Sequence, residues 1–320
     1  MKTICKELLM AAVIAWVVPW FLVSAVLSAV PQRVSQEMPE ETTGVAQKNT
    51  EEERIPVLMG DTKTTLSVQE YLVGVLLAEM PGSFLPEAKM AQAVVARTYA
   101  LRTVAVSDKH PGYVCTDSTC CQGYLSPEKY LTSGGKEETV AQAVQAVTET
   151  EGLVLTYNGN LIDATYFSCS GGKTEAAVAV WGTDIPYLQS VESPGEESAE
   201  HYTDTVVFTH EGFCSALGRT LQGNPSSWFG TVTYTEGGGV SAIFIGQKRY
   251  TGTEIRALLG LRSTVFSISV TGSQICITTR GYGHRVGMSQ YGAQNMASEG
   301  KNFRQILSHY YTGACVANWP

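Results

Sequence analysis

Hydrophobic residues recur at helical spacing in two consecutive stretches that a proline separates. Ser67 and Glu70 have the spacing of a capping box, and apolar residues recur every three or four positions after them. Pro81 ends this first predicted helix, because proline lacks the N–H that a helix interior needs. Pro86 fits the first turn of a second helix, which we predict to extend to about residue 102.

Shorter patterns farther along the chain predict a mixture of strands and helices. Residues 152–167 predict a hairpin that turns at Asn158 and Gly159, a pair typical of tight β-turns. Further strands are predicted at 242–245, 266–270 and 274–279, and helices near 137–148, before 260, from 289 and from 303. Interspersed helices and antiparallel hairpins predict an α+β fold.

An uncharged and almost entirely apolar stretch occupies residues 8–32. It exceeds the roughly 20 residues that a transmembrane helix needs, so we predict a single transmembrane anchor. Lys2 and Lys6 precede it, which predicts a cytoplasmic N-terminus over residues 1–7 and an extracytoplasmic remainder. A cleaved signal peptide is the alternative, although its hydrophobic part would be unusually long.

The sequence after the anchor changes character twice. Residues 33–54 are polar, acidic and poor in aromatic residues, which predicts a disordered tether. Residues 55–320 form the predicted extracytoplasmic domain, which is large enough to contain two subdomains. The formal net charge is −8 and no basic stripe is apparent, so nucleic acid is excluded as a partner.

Glu79 is the carboxylate with the most unusual predicted surroundings. It lies in the last turn of the first helix, next to Ala78 and Met80. The negative end of the helix dipole and apolar neighbours both raise the pKa of a carboxyl group. A glutamic acid that keeps its proton near neutral pH can act as a general acid. The alternative is a solvent-exposed glutamate at a helix end.

A short loop collects side chains that bind transition metals. His110, Cys115, Cys120 and Cys121 lie within twelve residues, and imidazole with thiolates suits a structural zinc site. Disulfides are the alternative outside the cytoplasm. The sequence does not determine the pairing of the other cysteines beyond the predicted anchor, which are Cys169, Cys214, Cys276 and Cys315.

Two glycine-rich segments also carry polar side chains. The first contains Tyr166, Ser168, Ser170, Gly171, Gly172 and Thr174, and the second contains Gly281, Gly283, His284, Gly287, Ser289 and Gln290. Glycines permit a ligand to approach the backbone closely, and hydroxyl groups can bind sugars. Tight turns with a structural histidine are the alternative. A serine hydrolase is poorly supported, because no G-x-S-x-G motif is present.

Five motifs occur in order along the chain: EYLVGVLLAEMPGSFLPEAKMAQAVVARTYALR, YFSCSGGKTE, GTDIPYLQSVESP, GTEIRALLGLRSTVFSI and GYGHRVGMSQYGAQNMASEGKNFRQILSHYYTG. Together they resemble the stage II sporulation protein D family of membrane-anchored peptidoglycan lytic transglycosylases. The resemblance covers roughly residues 55–314, and the predicted anchor and tether that precede this region match the family as well. It implies an α+β domain built around a glycan-binding cleft.

The resemblance also implies roles for individual residues. Glu79 corresponds to the catalytic glutamate of the family. The implied substrate-binding residues are Lys89, Gln92, Arg97, Tyr99, Tyr166, Ser168, Gly171, Gly172, Thr174, His284, Ser289 and Gln290. Arg285 departs from the pattern, since the family usually has glycine at that position.

The resemblance favours zinc over disulfides in the cysteine loop. Family members bind zinc through a histidine and a C-x4-H-C-Q segment. His110, Cys115, Cys121 and Gln122 match this pattern, and Cys120 stands where the family often has histidine. A cysteine in place of a histidine preserves a zinc ligand.

A lytic transglycosylase needs only one carboxyl group, because the muramic acid 6-hydroxyl attacks C1 of its own sugar and leaves a 1,6-anhydro end. The resemblance implies that the substrate is glycan free of stem peptides. It also implies action during engulfment in endospore formation, together with an amidase and a polytopic membrane protein. The alternatives are a zinc-dependent wall hydrolase or amidase, and a non-catalytic wall-binding activator of an amidase.

Overall fold

The computed structural model describes residues 53–319. Within this part of the chain, none of the helices combines the length and the apolar character that a membrane span needs. The predicted N-terminus at 1–7, the anchor at 8–32 and nearly all of the tether lie outside the described residues. Those three expectations therefore stay predictions.

Helices and strands are interspersed along the described residues, and most strand pairs are antiparallel, which confirms the mixed α+β character of the fold. The helices are α1 (Val68–Glu79), α2 (Pro86–Val106), α3 (Pro127–Thr132), α4 (Glu137–Glu149), α5 (Ala177–Trp181), α6 (His210–Ala216), α7 (Gly252–Leu258), α8 (Gln290–Ser298) and α9 (Phe303–Tyr310). A 3₁₀ turn spans Pro225–Ser227.

The strands are short and form small sheets of two or three strands. They are β1 (Arg54–Met59), β2 (Thr62–Ser67), β3 (Val114–Cys115), β4 (Leu153–Tyr157), β5 (Asn160–Leu161), β6 (Tyr166–Phe167), β7 (Gly172–Lys173), β8 (Glu192–Ser193), β9 (Thr203–Thr209), β10 (Phe229–Tyr234), β11 (Val240–Ile245), β12 (Lys248–Thr251), β13 (Val265–Thr271), β14 (Gln274–Arg280), β15 (Met288–Ser289) and β16 (Cys315–Asn318).

The predicted break between α1 and α2 is confirmed. The backbone N–H of Glu70 donates to Ser67 Oγ at 3.1 Å, and the backbone N–H of Ser67 donates to the Glu70 carboxylate at 3.0 Å, so the capping box is formed. α1 ends at Glu79 and α2 begins at Pro86. α2 is one turn longer than predicted, because the sequence after residue 102 carries no helix-stop signal before Ser107.

α2 is the central helix, and two clusters of apolar side chains pack on its different faces. Met90 and Ala93 belong to a cluster shared with α1 and α4. Val94 and Val95 belong to a second cluster shared with β4, α8 and α9. A helix buried on several faces shows no single apolar stripe. α2 thus fixes the end of α1 relative to the C-terminal helices.

Residues 203–280 form a separate group of elements, which we call the 203–280 segment. β9, β13 and β14 make one antiparallel sheet, and β10, β11 and β12 make another. Their buried side chains, including Phe213, Trp228 and Ile243, form a third apolar cluster. The chain enters this segment after β8 and leaves it at Gly281, where the second glycine-rich segment begins.

A parallel pair of two-residue strands joins the two glycine-rich segments. Met288 pairs with Tyr166 and Ser289 with Phe167, in β15 and β6. The predicted hairpin at Asn158 and Gly159 is confirmed for β4 and β5. It stops before β6, however, because β6 takes its partner from the C-terminal part of the chain.

Arg285 is buried, with 1% of its surface exposed, and its guanidinium is fully engaged. It pairs with the equally buried Glu175 at 3.1 Å. It also donates to the backbone carbonyls of Ser170 at 2.6 Å and Lys173 at 2.6 Å, and to that of Gly237 at 2.5 Å. This one side chain therefore links the first glycine-rich segment to the turn between β10 and β11.

We expect Arg285→Ala to destabilise the protein by about 3–5 kcal/mol, because the substitution leaves the Glu175 charge buried without its partner. Alanine keeps the strain of the positive φ at this position, so only the contacts change. Chemical denaturation measures the effect. The matched control is the exposed Arg280→Ala, expected within about 0.5 kcal/mol of wild type. Equal effects of the two substitutions would contradict a specific role for the buried pair.

Candidate active site

A cavity of about 1110 Å³ lies beside the C-terminal end of α1. Glu79 lines it, as do five of the predicted substrate-binding residues: Tyr99, Tyr166, Ser168, His284 and Gln290. The two glycine-rich segments reach the cavity together because β6 and β15 are paired. Glu79 and Gln290, which lie 211 positions apart in the chain, thus face the same space.

Donors from three parts of the chain surround Glu79, and the Gln290 amide also donates to the Glu79 backbone carbonyl at 3.2 Å. The backbone N–H of Gly123 donates to Glu79 Oε1 at 2.6 Å. Burial is the largest influence on the pKa of Glu79 and raises it above the ordinary value of 4.5. Hydrogen bonds from Gly123, Tyr166 and Gln290 lower the pKa, but by less. The net effect favours the protonated acid while keeping donors in place for the carboxylate.

Gln122 orients the tyrosine next to Glu79. The amide of Gln122 is fully buried, accepts a hydrogen bond from the Tyr71 hydroxyl at 3.1 Å, and donates to the Tyr166 hydroxyl at 3.2 Å. Because the Tyr166 oxygen accepts from Gln122, its own proton is free to be donated to Glu79. The sequence identified Gln122 only as part of the metal-binding pattern, and this second contact joins residues 44 positions apart.

The four predicted metal ligands come together beside the cavity. One donor atom from each of His110, Cys115, Cys120 and Cys121 lies within 4.8 Å of the others. His110 Nε2 is 2.9 Å from Cys120 Sγ, and His110 Nδ1 is buried without a hydrogen-bond partner among the described residues. In a tetrahedral zinc site with Zn–S bonds of ~2.3 Å, the four ligand atoms lie ~3.7 Å from one another.

The donor set therefore fits a zinc ion in composition and spacing. No disulfide joins the described cysteines in this structure. Burial would raise the pKa of the Cys120 thiol, but hydrogen bonds led by His110 hold it at about 7. Cys120 and Cys121 also line the cavity that contains Glu79. The same loop continues into Gln122 and Gly123, the two residues that position Glu79 and Tyr166.

Three predicted substrate-binding residues on α2 are buried and lie outside the lining of the cavity. Lys89 donates to the carbonyl of Gly82 at 2.8 Å, and Arg97 donates to backbone carbonyls at residues 147, 150 and 153. Gln92 is fully buried, and neither polar atom of its side chain has a partner within the described residues. Contact of these three residues with glycan stays a prediction.

The remaining predicted residues support the cavity from behind. Gly171, Gly172, Thr174 and Ser289 are absent from its lining. Thr174 Oγ1 accepts the backbone N–H of Val191 at 2.8 Å. Ser289 Oγ donates to Glu196. These contacts shape the two glycine-rich segments, and contact of these four residues with glycan stays a prediction.

Glu196 is a structural residue that the sequence did not reveal. It is 1% exposed, and its carboxylate accepts five hydrogen bonds from Ser170, Gly171, Ser193 and Ser289. Its sequence context, with four glutamates in the nine residues 192–200, is typical of a solvated loop. No local pattern distinguishes Glu196 from Glu197, which is exposed.

His284 lines the cavity, and its imidazole is held by the backbone, while its contact with glycan stays a prediction. Burial and the nearby Arg256 charge lower its pKa to about 4. Its Nδ1 accepts the backbone N–H of Val286 at 3.1 Å, and the ring also donates to the backbone of Tyr166. The imidazole therefore fixes the path of both glycine-rich segments. A role as the base of a serine hydrolase is not favoured, because both ring nitrogens serve the backbone.

The arrangement can hold a proton at Glu79 and release it toward a ligand in the cavity.

Comparisons with known proteins agree with the resemblance that the motifs carry. Residues 61–157 match the SpoIID family model, described as stage II sporulation protein. Stage II sporulation protein D of Bacillus subtilis (strain 168) is 40% identical over 258 residues, which cover 79% of this chain and 75% of that protein.

Two other relatives differ in how much of their length is matched. Stage II sporulation protein D of Bacillus amyloliquefaciens is also 40% identical, over 79% of this chain and 74% of its own length. The amidase enhancer of Bacillus subtilis (strain 168) is 27% identical over 78% of this chain, but only 40% of the enhancer is covered. The identity to the first two relatives, and the extent of the match, show that this chain belongs to the stage II sporulation protein D family.

Proposed function

We propose that the protein is a peptidoglycan lytic transglycosylase that cleaves glycan strands between N-acetylmuramic acid and N-acetylglucosamine. The observation that supports this most directly is Glu79, a carboxyl group with a raised pKa on the wall of a cavity large enough for sugar residues. Both aromatic rings and polar side chains, such as Tyr291, Ser168 and Gln290, line the cavity, and rings and hydrogen-bonding groups suit a carbohydrate.

The proposed reaction uses the same carboxyl group twice. Glu79 first donates its proton to the oxygen that leaves with glucosamine, as the bond from that oxygen to C1 of muramic acid breaks. The Glu79 carboxylate then accepts the proton of the muramic acid 6-hydroxyl, whose oxygen forms the new bond to C1. The donors at Gly123 and Tyr166 stabilise the carboxylate between these two steps. No water is consumed.

A second carboxylate on the cavity wall defines the competing mechanism. Glu200 also lines the cavity, and a glycosidase that uses water works with two carboxyl groups. The surroundings of Glu200 differ from those of Glu79, because its side chain is 81% exposed and pairs with His201 at 3.4 Å. An exposed carboxylate lacks the fixed position that a nucleophile or base requires. We therefore assign the chemistry to Glu79 alone.

We further propose a structural zinc ion held by His110, Cys115, Cys120 and Cys121. When bound, the zinc would supply a rigid cross-link with no chemical step of its own, since four protein ligands leave no open position. The loop that it closes contains Gln122, which donates a hydrogen bond to Tyr166, and Gly123, which donates one to Glu79. A zinc-dependent hydrolase or amidase is less well supported for the same reason.

The cellular setting is also a proposal. The apolar residues 8–32 support an anchor in the cell membrane with an extracytoplasmic domain. The family supports a role in sporulation, and its sequence resemblance supports action on stem-peptide-free strands in engulfment with an amidase and a polytopic membrane protein. The relative named amidase enhancer supports the second candidate function, a non-catalytic activator of an amidase.

We expect Glu79→Gln to lower the rate of glycan cleavage by about 10²–10⁴-fold, because the amide can neither donate nor accept the proton. Mass spectrometry of digested strands distinguishes anhydro ends from reducing ends. Glu200→Gln is the matched variant and should keep at least about a tenth of the rate. Loss of activity in Glu200→Gln with reducing ends in the wild-type products would indicate a hydrolase, and no products at all would indicate the activator.

The raised pKa of Glu79 predicts that this carboxyl group destabilises the folded protein at neutral pH. The unfolded chain loses the proton at lower pH than the folded protein, so the free energy of unfolding falls as pH rises through that interval. Glu79→Gln removes this loss. Its melting temperature should therefore exceed that of wild type increasingly as pH rises from about 4 to 8. A constant difference across this range would contradict the raised pKa.

We expect Cys115→Ser to lower the zinc content and the melting temperature together, with activity declining as the loop loses its cross-link. Elemental analysis and thermal denaturation measure both effects on the same sample. The exposed Cys315→Ser is the control and should retain zinc and stability. Protein purified without a chelator that contains no zinc and carries a disulfide between Cys115 and Cys121 would restore the disulfide alternative.

A further inference from the structure

A second cavity of about 540 Å³ opens next to the one that contains Glu79. Arg256 on α7 and Tyr282 line both cavities, so the two spaces meet at these side chains. The second cavity is formed mainly by α7 and by the turn that follows it, with Asp204 and Arg262 at its wall. A ligand lying in the cavity beside Glu79 can therefore extend a substituent toward the 203–280 segment.

Of the two arginines that line the second cavity, Arg262 has a carboxylate partner and Arg256 has none among the described residues. Arg262 Nε lies 3.1 Å from Asp204 Oδ2, and its guanidinium stacks over Tyr282, 4.8 Å from the ring centre. Arg256 has no carboxylate within ion-pair distance among residues 53–319. The nearest acid in sequence, Glu254, is engaged in the capping box of α7, where it accepts from the Thr251 backbone at 2.6 Å.

Arg256 is also partly withdrawn from water. Burial lowers its pKa, and its charge is felt by His284, whose pKa it lowers. His284 is neutral, so it repels the guanidinium little and offers it no counter-charge. A partly buried guanidinium without an acidic partner favours an anionic ligand, and its planar pair of donors matches a carboxylate.

We propose that Arg256 binds the free carboxylate of the lactyl ether on a muramic acid residue held next to Glu79. The proposal rests on the proposed function, since it takes muramic acid as the sugar in the cavity. Every muramic acid of a peptide-free strand presents this carboxylate on C3, whereas a stem peptide converts it to an amide. Recognition of the carboxylate by Arg256 would thus make the 203–280 segment the part of the protein that selects peptide-free strands.

The alternative source of the same chemistry is a carboxylate within a stem peptide. The position of Arg256 favours the lactyl group, because Arg256 lies where the second cavity meets the first and not at its far end. A peptide carboxylate would stand several bonds farther from the sugar. Arg262 in the second cavity is already paired with Asp204, so this cavity offers the carboxylate room but no second unpaired charge.

Binding to an inactive protein separates this proposal from the reaction. The full chain carrying Glu79→Gln, kept in mild detergent, is titrated calorimetrically with muramic acid–glucosamine oligomers in three forms: the free lactyl acid, its neutral methylamide, and a stem-peptide conjugate. We expect the free acid to bind about ten- to a hundredfold more tightly than the methylamide, as for a charge-assisted pair. The peptide conjugate should bind no better than the methylamide.

The second half of the experiment adds substitutions to Glu79→Gln. Arg256→Gln should abolish the preference for the acid, and Arg256→Lys should keep part of it, which shows that the fold is intact. Arg249→Gln removes an exposed positive charge from the same segment and should keep the full preference. The proposal is overturned if the acid and the methylamide bind equally, or if the preference survives Arg256→Gln.

Two further outcomes have distinct meanings. Tight, Arg256-dependent binding of the peptide conjugate would overturn the lactyl assignment in favour of a peptide carboxylate. Failure of the proposed function is observed separately, as the absence of anhydro products from the wild-type chain. The carboxylate preference of the inactive variant does not depend on that result.

Discussion

The hydrogen bond from the Gly123 backbone to the Glu79 carboxylate is the contact on which the arrangement of the site depends. It joins the end of α1 to the loop that carries the histidine and the three cysteines. A Cβ atom at Gly123 would lie 2.9 Å from Glu79 Oε1, so a larger residue here would displace the carboxylate from its present position. One backbone donor therefore connects the metal-binding loop to the carboxyl group.

The surroundings of Glu79 balance two opposing requirements. Burial favours the protonated acid, and donors from Gly123, Tyr166 and Gln290 favour the carboxylate. With burial alone, the group would give up its proton too reluctantly to serve twice. With the donors alone, it would be ionised at neutral pH and unable to protonate a leaving group. The neutral Gln122 amide orients Tyr166 without adding a charge that would disturb this balance.

The parts of this protein that could be predicted from sequence are those encoded locally. The capping box and Pro81 determine the start and the end of α1, and Pro86 determines the start of α2. These signals place Glu79 in the last turn of α1. The four metal-binding side chains lie within one loop and were found by their spacing. The sequence identified the two glycine-rich segments as motifs, but it did not distinguish the side chains that face the cavity from those that lie behind it.

The parts that escaped prediction depend on residues far apart in the chain. Glu196 resembles a solvated glutamate until Ser170 and Ser289 approach it from two other segments. β9 and β10 were missed because one face of each strand is exposed and rich in threonine, which weakens the apolar alternation. Arg256 carries no local signal either, since only the folded chain shows that it lies at the junction of two cavities.

The pairing of β6 with β15 has a consequence for how the protein folds. Ser168 and Ser289, which contact each other at this junction, are 121 residues apart in the chain. Closing a loop of that length costs entropy before any contact offsets it, and such long-range pairings form late and slowly. The whole 203–280 segment lies inside the loop and has its own apolar cluster. The cavity wall can be completed only after that segment has been synthesised, so a growing chain contains Glu79 long before it has a site in which Glu79 can act.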